Sequence, residues 1–259
     1  MSITCPICSQ PTTFLIEKKD RFGQSYQYFK CISCRFLFDR DLVLDKKALQ
    51  AKVGKVYQGD YFEGIDSGWK VRGDAFLKVL NVAVKAYSFL KMNKKVSVLD
   101  YGGGNGYITS KVAPGVDVFF YDKYEKPTYQ GNYTVLEKPK VVDIIFAVEL
   151  VEHLADMDEW RFLKDLAPGM FMFTTGLSDN IADTDLAAWE YVNPDAGHSA
   201  LYSTKSLYLL GKKYGFAYFF FPNISTHIFL RNVFLSRIYF VKIEYAIYSL
   251  LRKIKNLVA

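Results

Sequence analysis

Residues 96–108 read Val-Ser-Val-Leu-Asp-Tyr-Gly-Gly-Gly-Asn-Gly-Tyr-Ile, an apolar run that passes directly into glycines. A run this short and this apolar predicts a strand buried on both faces. Glycines placed just after it let the backbone take dihedral angles closed to other residues and approach a ligand closely. A helix is expected to follow, and its N-terminus adds partial positive charge to the turn. Such a strand needs parallel neighbours, and residues 116–121, 141–148 and 169–174 are further continuous apolar segments with helical or loop stretches between them. A helix over 203–214 then precedes strands at 216–221 and 226–230, separated only by a Pro-Asn-Ile-Ser turn. The order predicts a parallel sheet that ends in an antiparallel pair.

All four cysteines lie in the first 34 residues, as Cys5-Pro-Ile-Cys8 and Cys31-Ile-Ser-Cys34. Two pairs with two-residue internal spacing suit tetrahedral Zn2+, because each short turn presents two thiolates to one ion. Residues 13–16 and 26–30 are expected to be strands flanking the turn-prone Asp20-Arg-Phe-Gly23, the arrangement of a zinc ribbon. Metal would replace the core that so short a segment cannot build. The domains expected are a zinc ribbon at 1–40, a connector and covering segment at 41–72, the main domain at 73–232 and a basic amphipathic helix at 233–259.

Within the connector, residues 39–55 predict a helix with Leu42, Leu44, Ala48 and Val53 loosely periodic. Residues 56–72 mix aromatics with glycines, too irregular for a regular element, while 73–92 predict a helix presenting Phe76, Leu77, Leu80, Val84, Tyr87 and Leu90 on one side. The net charge of +6 is concentrated at the end of the chain, where Arg231, Arg237, Lys242, Arg252, Lys253 and Lys255 face a single Glu244. A basic groove over the whole molecule is therefore not expected. The start of the chain carries no basic segment followed by an apolar one, and no window of about 18 uncharged apolar residues occurs. A cytoplasmic protein without a membrane span is expected.

Asp122 closes the second main strand, eighteen positions after Gly104, where a carboxylate can accept hydrogen bonds from both hydroxyls of a bound ribose. Asp100 ends the first strand, and glycines follow at 102, 104 and 106, a spacing unlike the dinucleotide fingerprint. With the later Asp143-Ile-Ile-Phe-Ala-Val-Glu149-Leu-Val-Glu152-His153-Leu, this pattern resembles the class I S-adenosylmethionine-dependent methyltransferases over residues 70–232. The resemblance implies a Rossmann-like seven-stranded sheet, mostly parallel with an antiparallel last strand and helices on both faces. It implies that Asp100, with Tyr101 beside it, orders the loop and the methionine amine. Gly102, Gly103 and Gly104 would pass under the cofactor, Asp122 would hold the ribose, and Ala147, Val148 and Glu149 would flank the adenosyl and methyl-donor end. Arg72 could pair with the methionine carboxylate, or it could join Tyr57, Tyr61 and Trp69 in packing the ribbon onto the main domain; both alternatives stay open.

Methyl transfer from a sulfonium is an in-line displacement, so the protein mainly aligns donor and acceptor and deals with the acceptor's proton. The candidate catalytic residues are His198, Glu149 and His153. His198 belongs to a polar loop beginning at Trp189, and a loop histidine titrates near neutral pH. His153 is expected on a helix, four positions from Glu149 and on its face, where a structural hydrogen bond is the competing role. His227 is expected to be an ordinary strand residue.

The place where methyltransferases of exocyclic nucleic-acid amines usually carry Asn-Pro-Pro-Tyr or Asp-Pro-Pro-Tyr holds Ala-Val-Glu-Leu. That speaks against a nucleic-acid base as acceptor. The ribbon, the aromatic segment, the Glu-His-Leu motif and the Gly-His loop before a Ser-Leu helix together look similar to bacterial methyltransferases of sugar and surface-polysaccharide biosynthesis. The resemblance implies a small-molecule or glycan acceptor, with a sugar hydroxyl favoured. The alternatives are an RNA methyltransferase that binds nucleic acid through its ribbon, and a cofactor-binding interaction module without chemistry. For the helix expected beyond Asn232, with Phe234, Ile238, Val241, Tyr245, Tyr248 and Leu251 as its stripe, three contacts stay open: the inner membrane surface, the domain itself, or a second copy in a homodimer.

Overall fold

The strand read from residues 96–101 forms as β4, and everything around it follows from its being apolar on both faces. The computed structural model describes residues 3–56, 68–91, 95–222 and 225–231. Along the chain lie β1 (Thr12–Lys19), β2 (Ser25–Cys31), β3 (Leu37–Asp39), α1 (Asp41–Leu44), α2 (Lys46–Val56) and α3 (Trp69–Leu90). They are followed by β4 (Ser97–Tyr101), α4 (Tyr107–Ser110), β5 (Asp117–Tyr121), β6 (Thr134–Val135), β7 (Ile144–Val148) and α5 (Phe162–Asp165). The last elements are β8 (Met170–Thr174), β9 (Ala200–Leu201), α6 (Thr204–Tyr214), β10 (Phe216–Phe221) and β11 (Thr226–Arg231).

Seven strands form one sheet in the order β10-β11-β8-β7-β4-β5-β6. Parallel register joins Val98 to Ile144 and Val118, and Asp100 to Phe146 and Phe120. The last strand, β11, runs antiparallel to β10, with Phe216 opposite Arg231. The sheet is the expected Rossmann-like one, mostly parallel with an antiparallel last strand and helices packed around it. Strands β7 and β8, Ile-Ile-Phe-Ala-Val and Met-Phe-Met-Phe-Thr, are almost wholly buried, as continuous apolar strands in a covered sheet must be. Helix α3 packs Phe76, Val79, Leu80, Ala83, Val84 and Tyr87 against Val98, Ile144, Phe146 and Met172, which matches its i, i+3, i+4 spacing. It begins at Trp69 and so includes Arg72, a turn earlier than its periodicity suggests. The reason is aromatic packing: Trp69 meets Tyr107 edge-on at 5.0 Å between ring centroids.

A second sheet has the order β1-β2-β3-β9. Strands β1 and β2 form the expected hairpin across the Asp20–Gly23 turn, with Thr12 opposite Cys31 and Lys19 opposite Ser25. Alternation in Ser-Tyr-Gln-Tyr-Phe-Lys-Cys buries Tyr26 and Tyr28 on one face. Strands β3 and β9 were not legible, being too short for a period; β9 pairs Ala200 and Leu201 with Phe38 and Leu37.

The chain groups into two compact units. One contains Met1–Ser67, Glu149–Phe162 and Thr174–Tyr214, and the other contains Gly68–Val148, Leu163–Phe173 and Gly215–Ala259. The connector expected as one helix is two, because the Asp45 carboxylate accepts the Ala48 N–H at 3.0 Å and starts α2 afresh. That break leaves Leu44 52% exposed and gives its place to Leu49 and Val56. The covering-segment residues Tyr57 and Tyr61 and the helix expected over 233–259 lie outside the described residues.

Candidate cofactor loop and acidic histidine cluster

In the unit built on the seven-stranded sheet, the turn after β4 is drawn together by its own backbone. Gly102 donates its N–H to the Tyr121 carbonyl at 2.8 Å, and Gly106 to Gly103 at 2.9 Å. Gly102, Gly104 and Gly106 have φ of 74°, 54° and 81°, left-handed values that disfavour any residue with a Cβ. At Gly103 the demand is space instead, since a Cβ there would stand 2.6 Å from Phe120 Cε2 and 2.9 Å from Asp100 Cγ. Tyr101 and Tyr121 lie opposite each other at the ends of β4 and β5, ring centroids 5.4 Å apart. Sequence reasoning missed Tyr121, although its position one residue before Asp122 marks it.

Asp122 is the organiser of this loop. Its Oδ2 accepts the Gly104 N–H at 2.9 Å, while Oδ1 accepts those of Tyr124 and Glu125 at 2.8 and 2.9 Å. A carboxylate offers about four lone-pair sites, so three are taken and one remains for a hydroxyl. Sequence spacing suggested a carboxylate free to serve both ribose hydroxyls; the loop amides are the reason it is not. Asp100 is 2% exposed and accepts the Thr109 hydroxyl on Oδ2. Burial pushes its carboxyl up to about 7, with the nearby Asp122 charge acting in the same direction. Ala147 is fully buried in β7, and Val148 ends that strand half-buried. Arg72 is exposed on α3.

The other unit holds the candidate catalytic residues. Glu149 is not helical: it has φ of 49°, and its N–H donates to Thr174 Oγ1 at 3.0 Å. Val151–His153 form a single 3-10 turn, so the expected helical pairing of Glu149 with His153 does not exist. Tertiary contacts gather the groups instead. The Tyr191 hydroxyl lies 2.5 Å from Glu152 Oε1 and 3.1 Å from Glu149 Oε2. His198 Nδ1 is 2.8 Å from the Tyr191 carbonyl, and the His153 and His198 rings stand 4.9 Å apart, edge to face. His198 was expected in a polar loop, yet it is only 8% exposed, because Gly197 turns the chain inward with φ of 78° and Ser199 donates its N–H to the Glu152 carbonyl at 2.8 Å. Burial, then the charge of Glu149, raises the Glu152 carboxyl well above its usual range. Burial, then the neighbouring His198, holds His153 well below its own. Tyr191 was not singled out from sequence, since an aromatic in a loop carries no spacing signal. His227 is a fully buried strand residue, its Nδ1 2.9 Å from the Tyr218 hydroxyl.

In the same unit, Cys5, Cys8, Cys31 and Cys34 are free thiols whose sulfurs all lie within 4.8 Å of one another. Cys5 and Cys34 are 3.6 Å apart, and Cys8 and Cys31 3.4 Å. Metal–sulfur bonds of about 2.3 Å in a tetrahedron put sulfurs about 3.8 Å apart, so this donor set fits a thiolate-bound ion. The two turns repeat one geometry. Ser9 and Arg35, each next after the second cysteine, have φ of 59° and 58° and donate N–H to the carbonyls of Cys5 and Cys31. Amides of Ser33 and Cys34 point at the Cys31 sulfur at 3.4 Å.

A family model described as a methyltransferase domain matches residues 74–219. The sequence matches no curated protein. Among solved structures, the chain is similar to a magnesium protoporphyrin IX methyltransferase from Synechocystis PCC 6803 with bound SAH, at 13% identity over 72% of this chain and 95% of that one, with a TM-score of 0.45. It is similar to the plantazolicin methyltransferase BpumL in complex with SAH, at 16% identity over 73% and 99%, with a TM-score of 0.47. An O-methyltransferase family protein from Burkholderia thailandensis is 16% identical over 73% of this chain and 71% of that one, with a TM-score of 0.42. The family match takes in the glycine loop, Asp122 and the Glu149, Glu152, His153, Tyr191 and His198 cluster, and it spans more than half of the 259 residues; the chain belongs to the methyltransferase-domain family.

Proposed function

We propose that this protein transfers a methyl group from S-adenosylmethionine to a small-molecule or glycan acceptor, with a sugar hydroxyl favoured. The observation that carries the reading is the loop after β4, where three glycines take left-handed φ and the Asp122 carboxylate holds the middle one, Gly104, by its N–H. When bound, the sulfonium supplies an electrophilic methyl. Asp122 would give its remaining lone-pair site to a ribose hydroxyl, and the loop backbone at Gly102–Gly104 would lie against the cofactor. Asp100 would order the loop from beneath through Thr109. Support for a hydroxyl acceptor comes from Glu149, His153 and His198, groups able to take a proton from an alcohol. The Tyr191 hydroxyl positions both carboxylates. His198 Nδ1 faces a backbone carbonyl and therefore carries the proton, which leaves Nε2 basic.

Zinc in the four-cysteine site is part of the same proposal, supported by the sulfur spacing. Among the described residues no helix is long and apolar enough to cross a membrane. A cytoplasmic location, a basic C-terminal helix touching the inner membrane surface, and a homodimer rest on the sequence. Co-sedimentation with anionic liposomes, comparing full-length protein with a chain ended at Asn232, tests the membrane contact; equal binding removes it.

The enzymatic reading is tested by calorimetry with S-adenosylmethionine and by turnover of nucleotide-sugar and glycan acceptors. His198→Ala should abolish turnover and leave cofactor affinity nearly unchanged. Absence of cofactor binding by the wild type would overturn the enzyme assignment, and cofactor binding without turnover of any acceptor would favour the interaction module.

A further inference from the structure

The Glu152, His153 and His198 side chains form a cluster apart from the cysteines and within the same compact unit. Their candidate ligand atoms all lie within 4.8 Å of one another, and the residues are 0%, 7% and 8% exposed. Two imidazoles and a carboxylate are the donor set of a first-row divalent cation. Ligands at about 2.0–2.2 Å from such an ion sit roughly 3–3.5 Å apart, so rotamer adjustments of about an ångström would complete the site.

Two further observations point to a ligand. Glu152 Oε2 is fully buried and accepts no hydrogen bond among the described residues. An orphaned carboxylate oxygen costs several kcal/mol by order of magnitude unless a cation or donor meets it. No ion pair to Glu149 or Glu152 occurs among the described residues either, although Tyr191 brings the two carboxylates together. The second observation is the orientation of His198. Its Nδ1 is engaged by the Tyr191 carbonyl at 2.8 Å, the outer hydrogen bond that fixes the tautomer of a metal-ligating imidazole and leaves Nε2 as the donor.

We infer that Glu152, His153 and His198 bind one divalent cation, with Glu149 adjoining as a further carboxylate. The cation balances the buried negative charge and leaves open positions that suit an acceptor hydroxyl, whose pKa it would lower; with both imidazoles engaged on the ion, Glu149 rather than His198 or His153 would take the hydroxyl's proton. Binding of the ion is independent of the methyl donor, so the cation site and the methyl-transfer reading stand or fall on different measurements.

Mn2+ is the probe, because it has little affinity for thiolate sites. Full-length protein retaining its cysteine-held metal is titrated with Mn2+, and the free ion is followed by electron paramagnetic resonance. One Mn2+ per chain is expected, weakened at least tenfold in Glu152→Gln and in His153→Ala, with the cysteine-held metal content and the circular-dichroism melt retained. His198→Gln gives a second, sterically milder test, with the same loss expected. Wild-type protein that takes up no Mn2+, or variants that bind it as the wild type does, overturns the inference. Should His153→Ala fail to fold, the folded Glu152→Gln and His198→Gln proteins decide.

Discussion

The Asp122 carboxylate accepts the Gly104 N–H at 2.9 Å, so one side chain closes β5 and holds the glycine loop that follows β4. Removing it therefore does two things. Asp122→Ala should weaken S-adenosylmethionine binding by at least tenfold, about 1.4 kcal/mol, and should also loosen the loop. Amide hydrogen exchange separates the effects: faster exchange at Gly104 without a change in affinity would show that Asp122 serves the loop alone.

Gly103 is constrained by volume. Gly103→Ala places a methyl 2.6 Å from the Phe120 ring and 2.9 Å from the Asp100 carboxyl, and Phe120 is itself 1% exposed. Destabilisation of about 1–3 kcal/mol is expected from overpacking, measured by urea denaturation. An unchanged midpoint would mean that Phe120 has room to move.

Asp100 makes a pH prediction. Its folded-state carboxyl titrates near 7 against an ordinary 3.8, through burial first and the Asp122 charge second, with the Thr109 hydroxyl opposing. The folded form thus binds more protons than the unfolded one between these values. The favourable contribution is complete below about pH 4 and is lost as pH rises through 7, on the order of a few kcal/mol. Asp100→Asn should flatten this part of the stability profile. Parallel profiles for the two proteins would contradict the shift.

The cysteine site makes a metal prediction. Cys31→Ser should lower zinc content by one ion per chain and melt the β1–β2 hairpin, because Cys31 also ends β2. Structural zinc contributes on the order of 10 kcal/mol in small domains, and strands β3 and β9 retain part of the sheet. Unchanged zinc by atomic absorption would sink the site.

Ser203 tests how α6 is anchored. Its Oγ accepts the Ser206 N–H at 3.0 Å while the Ser206 hydroxyl lies 2.9 Å from the Ser203 amide, a reciprocal cap, and the same Oγ donates to the Cys34 carbonyl. Ser203→Ala should cost about 1–2 kcal/mol in a thermal melt, and a neutral result would mean that water replaces the cap.

Residues 96–122 alone determined that a strand, a glycine turn and a carboxylate would follow one another, because strand burial, left-handed glycines and a strand-ending aspartate are properties of local chain chemistry. The cysteine spacing determined a four-sulfur cluster in the same way, each pair being held by one short turn. Tertiary structure alone decided the acidic histidine cluster. Glu152 and Tyr191 are 39 residues apart in sequence and 2.5 Å apart in space, and the turn that presents His153 is too short to have a period. It also decided that β9 completes the sheet of the cysteine-bearing hairpin and that Asp122 is largely spent on its own loop. Long-range hydrogen bonds and buried packing set those outcomes, and neither leaves a repeat in the sequence.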